Sequence, residues 1–112
     1  MALKAKRIGQ VGAVKVRGTL TGGDETQEVR NTVQQFLDNG TDRIVLDLFR
    51  VKWMNSHGIG MLMGVYSMVQ QAGGRIILSR VCGKVQELLE TTKVITLFER
   101  ADDFREAVKR LE

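Results

Sequence analysis

Ser56 is the residue best placed to carry chemistry in this sequence. It lies in the stretch 46–64, LDLFRVKWMNSHGIGMLMG, where polar Asn55-Ser56 interrupts an otherwise apolar run between a predicted strand and a predicted helix. A helix start exposes unpaired backbone N–H groups and a partial positive charge, which together favour a bound phosphate. Phosphorylation would add about −1.5 to −2 charges, so Ser56 is a candidate modification site. The position also suits a serine that only caps the helix, which is worth ~1 kcal/mol.

Three side chains that can carry positive charge lie within a few residues of Ser56. Arg50 and Lys52 precede it and His57 follows it, so each is a candidate partner for a phosphate on the serine. Trp53 lies next to Lys52. An exposed tryptophan beside basic residues would make a strong contact with a protein partner, whereas a half-buried one would only anchor the loop.

Other chemistries fit this sequence poorly. The glycines of residues 58–64 are spaced G-x-G-x-x-x-G, which departs from the dinucleotide-binding pattern G-x-G-x-x-G, and they are expected to allow close packing of the helix. Ser56 and His57 are adjacent and point in different directions, and the chain has no second histidine to act as a base. Asp47, the one acid within an apolar strand, is expected to face outward and to pair locally.

Composition is that of an ordinary globular domain. With 112 residues, of which 43% are hydrophobic and 27% charged, residues 1–112 are expected to form one domain. One cysteine and one histidine exclude a disulfide framework and a structural zinc site built from this chain alone. No apolar run reaches the ~18 residues of a membrane span, and the first ten residues lack the apolar stretch of a secretory signal. A cytoplasmic protein is therefore expected.

The net charge of +4 is concentrated at the start of the chain. Residues 1–20 hold five basic residues and no acid, whereas residues 21–112 hold 12 basic and 13 acidic residues, a net charge of −1. Such a segment can attract an anionic surface, or it can be the solvated face of a strand. Nucleic-acid binding is not expected, because the segment lacks aromatic residues for stacking bases. The five basic residues are Lys4, Lys6, Arg7, Lys15 and Arg17.

Hydrophobic periodicity, punctuated by glycine, predicts alternating strands and helices. Because helices between strands make crossover connections, the strands they join should be parallel, while the opening two strands should be antiparallel. The prediction is an α/β fold: a mixed four- to five-stranded sheet with about four amphipathic helices packed mainly on one face. The expected strands cover 3–9, 12–18, 44–48, 76–78 and 94–98; the expected helices cover 24–38 (capped by Asp24), 56–72, 82–91 and a last segment starting at Asp102 or Asp103; residues 49–55 are expected to form a loop.

Five segments of the chain carry a family resemblance. They are Val16–Leu20, Ile44–Leu48, Val51–Gly60, Gly73-Gly74 and Leu88–Phe98. Together they resemble the STAS domain, the fold of bacterial anti-sigma-factor antagonists, over nearly the whole chain. The centre of that family is an Asp-Ser-Ser-Gly-Leu/Ile-Gly run after a D-L-x-x-V-x-x-(Met/Ile) lead. This chain has DLFRVKWM followed by NSHGIG.

The resemblance implies a switch and not a catalyst. In the family, the first serine of the run, which corresponds to Ser56, is phosphorylated by a partner anti-sigma serine kinase. The unphosphorylated domain binds the kinase, which releases a sigma factor; phosphorylation blocks this binding and a phosphatase restores it. Here Asn55 replaces the acid of the family and His57 replaces its second serine, changes that can alter recognition by the kinase.

The resemblance therefore predicts an anti-sigma-factor antagonist that is not an enzyme, with an anti-sigma serine kinase and a phosphatase as partners. Two alternatives stay open. The domain can be a scaffold subunit of a stress-signalling or lipid-transport complex in which Ser56 is only a cap, or it can be a nucleotide-binding regulatory domain. No cofactor and no metal are expected, and the predicted partner-binding residues are Arg50, Lys52, Trp53, Asn55, His57 and Gly58.

Overall fold

A five-stranded mixed sheet forms the centre of the molecule. The computed structural model describes residues 3–112. Its strands are β1 (Leu3–Ile8), β2 (Val11–Leu20), β3 (Arg43–Met54), β4 (Arg75–Ser79) and β5 (Glu99–Ala101). They lie side by side in chain order, with β1 and β2 antiparallel and every later pair parallel. This arrangement confirms the pairing that the helical crossovers predict.

Helices cover the two faces of the sheet unequally. They are α1 (Asp24–Asp38), α2 (Ser56–Gln71), α3 (Gly83–Thr91) and α4 (Phe104–Leu111). The first three bury the larger apolar cluster against one face, and α4 buries a smaller cluster against the other. Successive side chains of β3 point to opposite faces of the sheet. Ile44 and Leu46 belong to the larger cluster and Val45 belongs to the smaller one. The predicted α/β fold, with helices mainly on one face, is confirmed.

Glycines mark both ends of α1. Gly23, and not Asp24, precedes the first turn, and no side chain caps it, so the prediction that Asp24 is the cap is wrong. Asp24 is instead the first helical residue, where its negative charge interacts favourably with the positive end of the helix dipole. At the other end Gly40 has φ +81°, the left-handed conformation typical of a helix C-terminus, as the pair Asn39-Gly40 predicts.

The predicted edge strand at 94–98 is wrong. Val94–Leu97 form a short 3₁₀ helix, and the edge strand is β5, which pairs with β4. Val94, Ile95 and Phe98 are all buried in the larger apolar cluster, a spacing that suits a helical turn better than the alternation of a strand. Since β5 has only three residues, its own apolar pattern is too short to reveal it.

β3 is longer than predicted, because it includes residues 49–54 of the expected loop. Two register shifts in its pairing with β2 mark β-bulges. Phe49-Arg50 and Lys52-Trp53 are exposed in consecutive pairs, where a regular strand would alternate buried and exposed residues. The strand therefore continues to Met54 and leads directly through Asn55 into α2.

Candidate functional site

Asn55, and not Ser56, caps α2. Its side-chain Oδ1 accepts hydrogen bonds from the backbone N–H of His57 at 2.9 Å and of Gly58 at 3.3 Å. Its Nδ2 donates to the carbonyl of Thr21 at 3.3 Å, which ties the helix start to the loop that follows β2. The interpretation of Ser56 as the N-cap is wrong. The side-chain amide oxygen of Asn55, one residue earlier, already accepts the hydrogen bonds that an N-cap accepts from the backbone N–H groups of the first turn.

Replacing Asn55 with alanine should lower the free energy of unfolding by about 1–2 kcal/mol, since the helix loses its cap and the bond to Thr21. Asn55→Asp should be less destabilising than Asn55→Ala, because a carboxylate still caps the helix and interacts favourably with its dipole, although it cannot donate to the Thr21 carbonyl. Urea denaturation of the three proteins measures both differences. An Asn55→Ala variant as stable as the wild type would contradict the assigned cap.

Ser56 is the first residue of α2, and its side chain is exposed. Among residues 3–112 no hydrogen bond engages its hydroxyl. The first turn of α2 contains no acidic residue, so nothing of like charge in that turn would repel a phosphate. The hydroxyl is thus accessible at the positive end of a helix dipole, which suits a phosphate-accepting serine.

Close packing against the end of β2 fixes the first turn of α2. A Cβ on Gly58 would overlap the carbonyl oxygen of Leu20 and would lie 2.8 Å from the Cβ of Met54. A Cβ on Gly22, which has φ +101°, would lie 2.9 Å from the Cβ of His57. Gly58 therefore shapes the helix start by allowing close approach, and His57 rests on the loop after β2 while remaining exposed.

The exposed side of α2 presents small and apolar groups beside Ser56. Ser56, Gly60 and Met63 follow one another at helical spacing. A Cβ on Gly60 would meet nothing within 4 Å, and Met63 is 45% exposed. We call these three residues the Ser56 surface. Trp53, three residues before Ser56 in the chain, is 43% exposed, so its ring is accessible to a partner.

Arg50 and Lys52 line a groove whose opposite wall is α1, and they do not lie at the helix start. Among residues 3–112 no hydrogen bond or ion pair joins Arg50, Lys52 or His57 to Ser56. The structure thus brings residues 55–58 together at the start of α2. It leaves the two basic residues of β3 on an adjoining surface, so their pairing with a phosphate on Ser56 stays a prediction.

Asp47 is buried in the sheet, and the expectation that it faces outward is wrong. It is 2% exposed, and its Oδ2 accepts hydrogen bonds from Ser79 Oγ at 2.7 Å and Arg80 Nε at 2.8 Å. Its Oδ1 accepts from Arg80 Nη2 at 3.2 Å and from the Phe49 N–H at 3.3 Å. The hydrogen bond to Asp47 raises the pKa of Arg80, so this side chain stays charged. The only sequence signal was polar Ser79-Arg80 directly after a buried strand.

Two features that would indicate other functions are absent from residues 3–112. No helix there is both long enough and apolar enough to cross a membrane. Nor do these residues hold three or more histidine, cysteine, aspartate or glutamate side chains arranged to bind a metal ion.

The sequence profile of the STAS domain matches residues 2–110. The chain belongs to the STAS domain family. An anti-sigma F factor antagonist of Paenibacillus polymyxa is 30% identical over 71 residues, which are 63% of this chain. The alignment spans 61% of the length of that relative.

Solved structures share the STAS fold at low sequence identity. SpoIIAA, an anti-sigma factor antagonist in its unphosphorylated form, has a TM-score of 0.77 and 18% identity, with 97% of this chain and 96% of that chain covered. SpoIIAA of Bacillus in the phosphorylated form has the same score and identity, with coverage of 99% and 100%. An anti-sigma factor antagonist from Mycobacterium paratuberculosis has a TM-score of 0.81 and 15% identity, with coverage of 97% and 92%.

Proposed function

We propose that this STAS protein is an anti-sigma-factor antagonist that binds a partner anti-sigma serine kinase and is switched off when Ser56 is phosphorylated. The observation that carries the proposal is the placement of Ser56, an exposed serine at the first position of α2 whose capping role is taken by Asn55. Membership of the STAS family supports it, as does the existence of a phosphorylated form of SpoIIAA. The proposed activity is regulated binding, without catalysis by this chain.

A phosphate on Ser56 would be compatible with the fold but not with a packed interface. The Asn55 side chain already accepts from the N–H groups of His57 and Gly58, but the positive end of the helix dipole still favours a phosphate beside it, so the domain itself stays folded. A partner seated on the Ser56 surface would have to bury ~−1.5 to −2 charges against a glycine and a methionine. Burying an uncompensated charge costs several kcal/mol, and each ~1.4 kcal/mol is a tenfold loss of affinity.

The residues around Ser56 have separate roles in this proposal. Asn55, His57 and Gly58 shape the helix start that presents the serine. Trp53 supplies an exposed aromatic contact, the residue type that most often dominates binding energy at an interface. Arg50 and Lys52, on the adjoining groove, contact the partner at its rim and contribute mainly to the rate and specificity of association.

Affinity capture with three baits tests the switch. Wild type, Ser56→Ala and Ser56→Asp would be immobilised and exposed to lysate of the source organism, and captured proteins identified by mass spectrometry. We expect the wild type and Ser56→Ala to retain a serine kinase of the ATPase-fold type. Ser56→Asp should lose it, because the carboxylate places a charge in the buried contact. The captured kinase, once purified, should transfer phosphate from ATP to the wild type and not to Ser56→Ala.

Ser67→Asp is the matched control, since Ser67 is an exposed serine on the same helix, ~16 Å along its axis. This variant carries the same added charge and should retain the kinase. Equal capture of the same partners by all the baits would overturn the switch and would indicate a constitutive scaffold subunit. Asn55→Asp, which restores an acid before the serine, should change the rate of phosphorylation while keeping α2 capped.

A further inference from the structure

The end of β3 that leads to Ser56 has one face that none of the helices in residues 3–112 covers. On the α4 side of the sheet, the smaller apolar cluster includes Val45 but no residue further along β3. Met54, the last residue of β3, points into the larger cluster on the other side, and it pairs with β2 in the same regular register as Trp53. Trp53 therefore points to the α4 side, where it is 43% exposed.

Phe49 lies on the same face, four residues before Trp53. Asp47 points to the α4 side, because both of its neighbours in β3 point into the larger cluster. The guanidinium of Arg80 contacts both the Asp47 carboxylate and the Phe49 ring, so this ring lies on the α4 side too. Phe49 is 51% exposed and belongs to neither apolar cluster. We call Phe49 and Trp53 the aromatic face; they are about 10–13 Å apart along β3, since a strand rises about 3.3 Å per residue and a bulge shortens it.

Phe49 is exposed, yet both its backbone and its ring are held in place. Its N–H donates to Asp47 Oδ1 at 3.3 Å. The guanidinium carbon of Arg80 lies 4.5 Å from the centroid of the Phe49 ring, and Arg80 itself donates to Asp47 through Nε at 2.8 Å and Nη2 at 3.2 Å. A single carboxylate therefore fixes the backbone of Phe49 and also the guanidinium that stacks on its ring.

Two unfavourable features support this arrangement. Arg80 has φ +55°, a backbone conformation that favours glycine over any residue with a side chain. Asp47 is a carboxylate that is only 2% exposed, and removing a charge from water is also unfavourable. Backbone strain of this kind occurs most often at functional sites. Here both features converge on a ring that adds nothing to either apolar cluster, so what they achieve is a rigid aromatic side chain at the surface.

We propose that Phe49 is a second aromatic contact for the anti-sigma serine kinase, and that Asp47 and Arg80 are the positioning residues that hold its ring. This inference rests on the proposed function, because the occupant is the partner that covers Ser56. The aromatic face is continuous with that contact, since β3 leads from Trp53 through Asn55 directly into α2. The kinase would carry an apolar groove that receives both rings. A ring that is already held in place loses little conformational freedom on binding, which favours affinity.

Titration of the full chain with the purified kinase that the wild type captures tests this proposal. Phe49→Ala should weaken binding on the order of tenfold or more, as expected for an aromatic residue at the centre of a contact. Phe49→Tyr is the matched control, and it should bind within about twofold of the wild type because it keeps the ring. Arg80→Lys should weaken binding on the order of threefold, since lysine keeps a charge beside Asp47 but lacks the planar group that stacks on the ring.

Two further measurements separate positioning from a general structural role. The double variant Phe49→Ala/Arg80→Lys should bind within about twofold of Phe49→Ala alone, because Arg80 acts through the ring. Far-UV circular dichroism should show that these variants are folded. Trp53 is the only tryptophan of the chain, so 5-fluorotryptophan incorporated into this protein gives one fluorine NMR signal. That signal should shift when the unlabelled kinase binds.

The outcomes distinguish this proposal from the proposed function. If Ser56→Asp loses the kinase while Phe49→Ala binds as tightly as the wild type, or if the Trp53 signal does not shift in the complex, the aromatic face is overturned and the switch stands. If Phe49→Ala loses the kinase while Ser56→Asp retains it, the switch is overturned and the aromatic face stands. A wild type that retains no serine kinase overturns both. A change in oligomeric state in Phe49→Ala, with unchanged kinase affinity, would assign the aromatic face to a second copy of this chain and overturn the proposal.

Discussion

Replacing Gly58 with alanine is expected to destabilise the domain by about 3 kcal/mol or more, since the new methyl group would clash with atoms of β2 and β3. It would overlap the carbonyl oxygen of Leu20, which is backbone and cannot rotate away, and would approach the Cβ of Met54 to 2.8 Å. Relief requires the start of α2 to move off the end of β2. That movement would also strain the bond from Asn55 to Thr21 and displace Ser56.

Gly60 provides the matched control, two residues further along the same helix. A Cβ there would meet nothing within 4 Å, so the substitution changes only the conformational entropy of the backbone. Gly60→Ala is expected to stabilise the domain by ~0.5–1 kcal/mol, because alanine loses less conformational freedom than glycine in a helix. The same substitution should therefore have opposite signs at the two positions.

Chemical denaturation of both variants measures the two changes in free energy of unfolding. If Gly58→Ala were as stable as the wild type, the close approach of α2 to β2 would be wrong, and with it the placement of Ser56. Gly60→Ala also probes the proposed interface, because its methyl group lies on the Ser56 surface. A variant that is more stable but binds the kinase less tightly would place a partner against Gly60.

Local sequence signals were sufficient to predict most of the fold. Apolar residues recur at helical spacing throughout α1 and α2. Asn39-Gly40 follows α1 and Gly73-Gly74 follows α2. The predicted bounds of both helices therefore agree with the structure to within one residue. The order of strands and helices also fixes which strands are parallel. These features depend on neighbours in the chain, which is why a single sequence reveals them.

The errors concern contacts between distant segments and the exact residue that caps a helix. The bulges of β3 arise from its pairing with β2, and they replace alternation with pairs of exposed residues that resemble a loop in the sequence. Whether Asn55 or Ser56 caps α2 depends on where the helix begins to within one residue, and neither composition nor periodicity specifies this. Phosphorylation of Ser56 was predicted from family resemblance, and the helix-start position alone allowed a simple cap.

Replacing Asp47 with alanine is expected to cost about 3 kcal/mol, near the lower end for breaking a buried ion pair. The loss leaves the Ser79 hydroxyl without its acceptor, and it leaves Arg80 without the carboxylate that it is hydrogen-bonded to. The lower end applies because 33% of the Arg80 side chain is exposed and can be rehydrated. Asp47→Asn should cost less, since an amide oxygen can still accept one of these hydrogen bonds.

An exposed pair of the same chemistry is the control. Arg75 and Glu99 also form two hydrogen bonds, at 3.0 and 2.6 Å, but their side chains are 50% and 43% exposed. Glu99→Ala should therefore cost less than ~1 kcal/mol. Hydrogen bonding to Arg75 lowers the pKa of Glu99, so this small contribution is present at neutral pH and is lost as the pH falls through that lowered pKa.

The double variant Asp47→Ala/Arg80→Ala measures the energy of the contact between the two side chains separately from the cost of burying each one. Once Asp47 is gone, removing Arg80 takes away the uncompensated charge, while alanine keeps the same backbone strain at φ +55°. The double variant should therefore be less destabilised than the sum of the two single variants, and urea denaturation of all four proteins gives the coupling energy directly. Strict additivity would mean that the Asp47–Arg80 contact contributes nothing. The burial of Asp47 would then have to be stabilised by Ser79 and the Phe49 N–H alone.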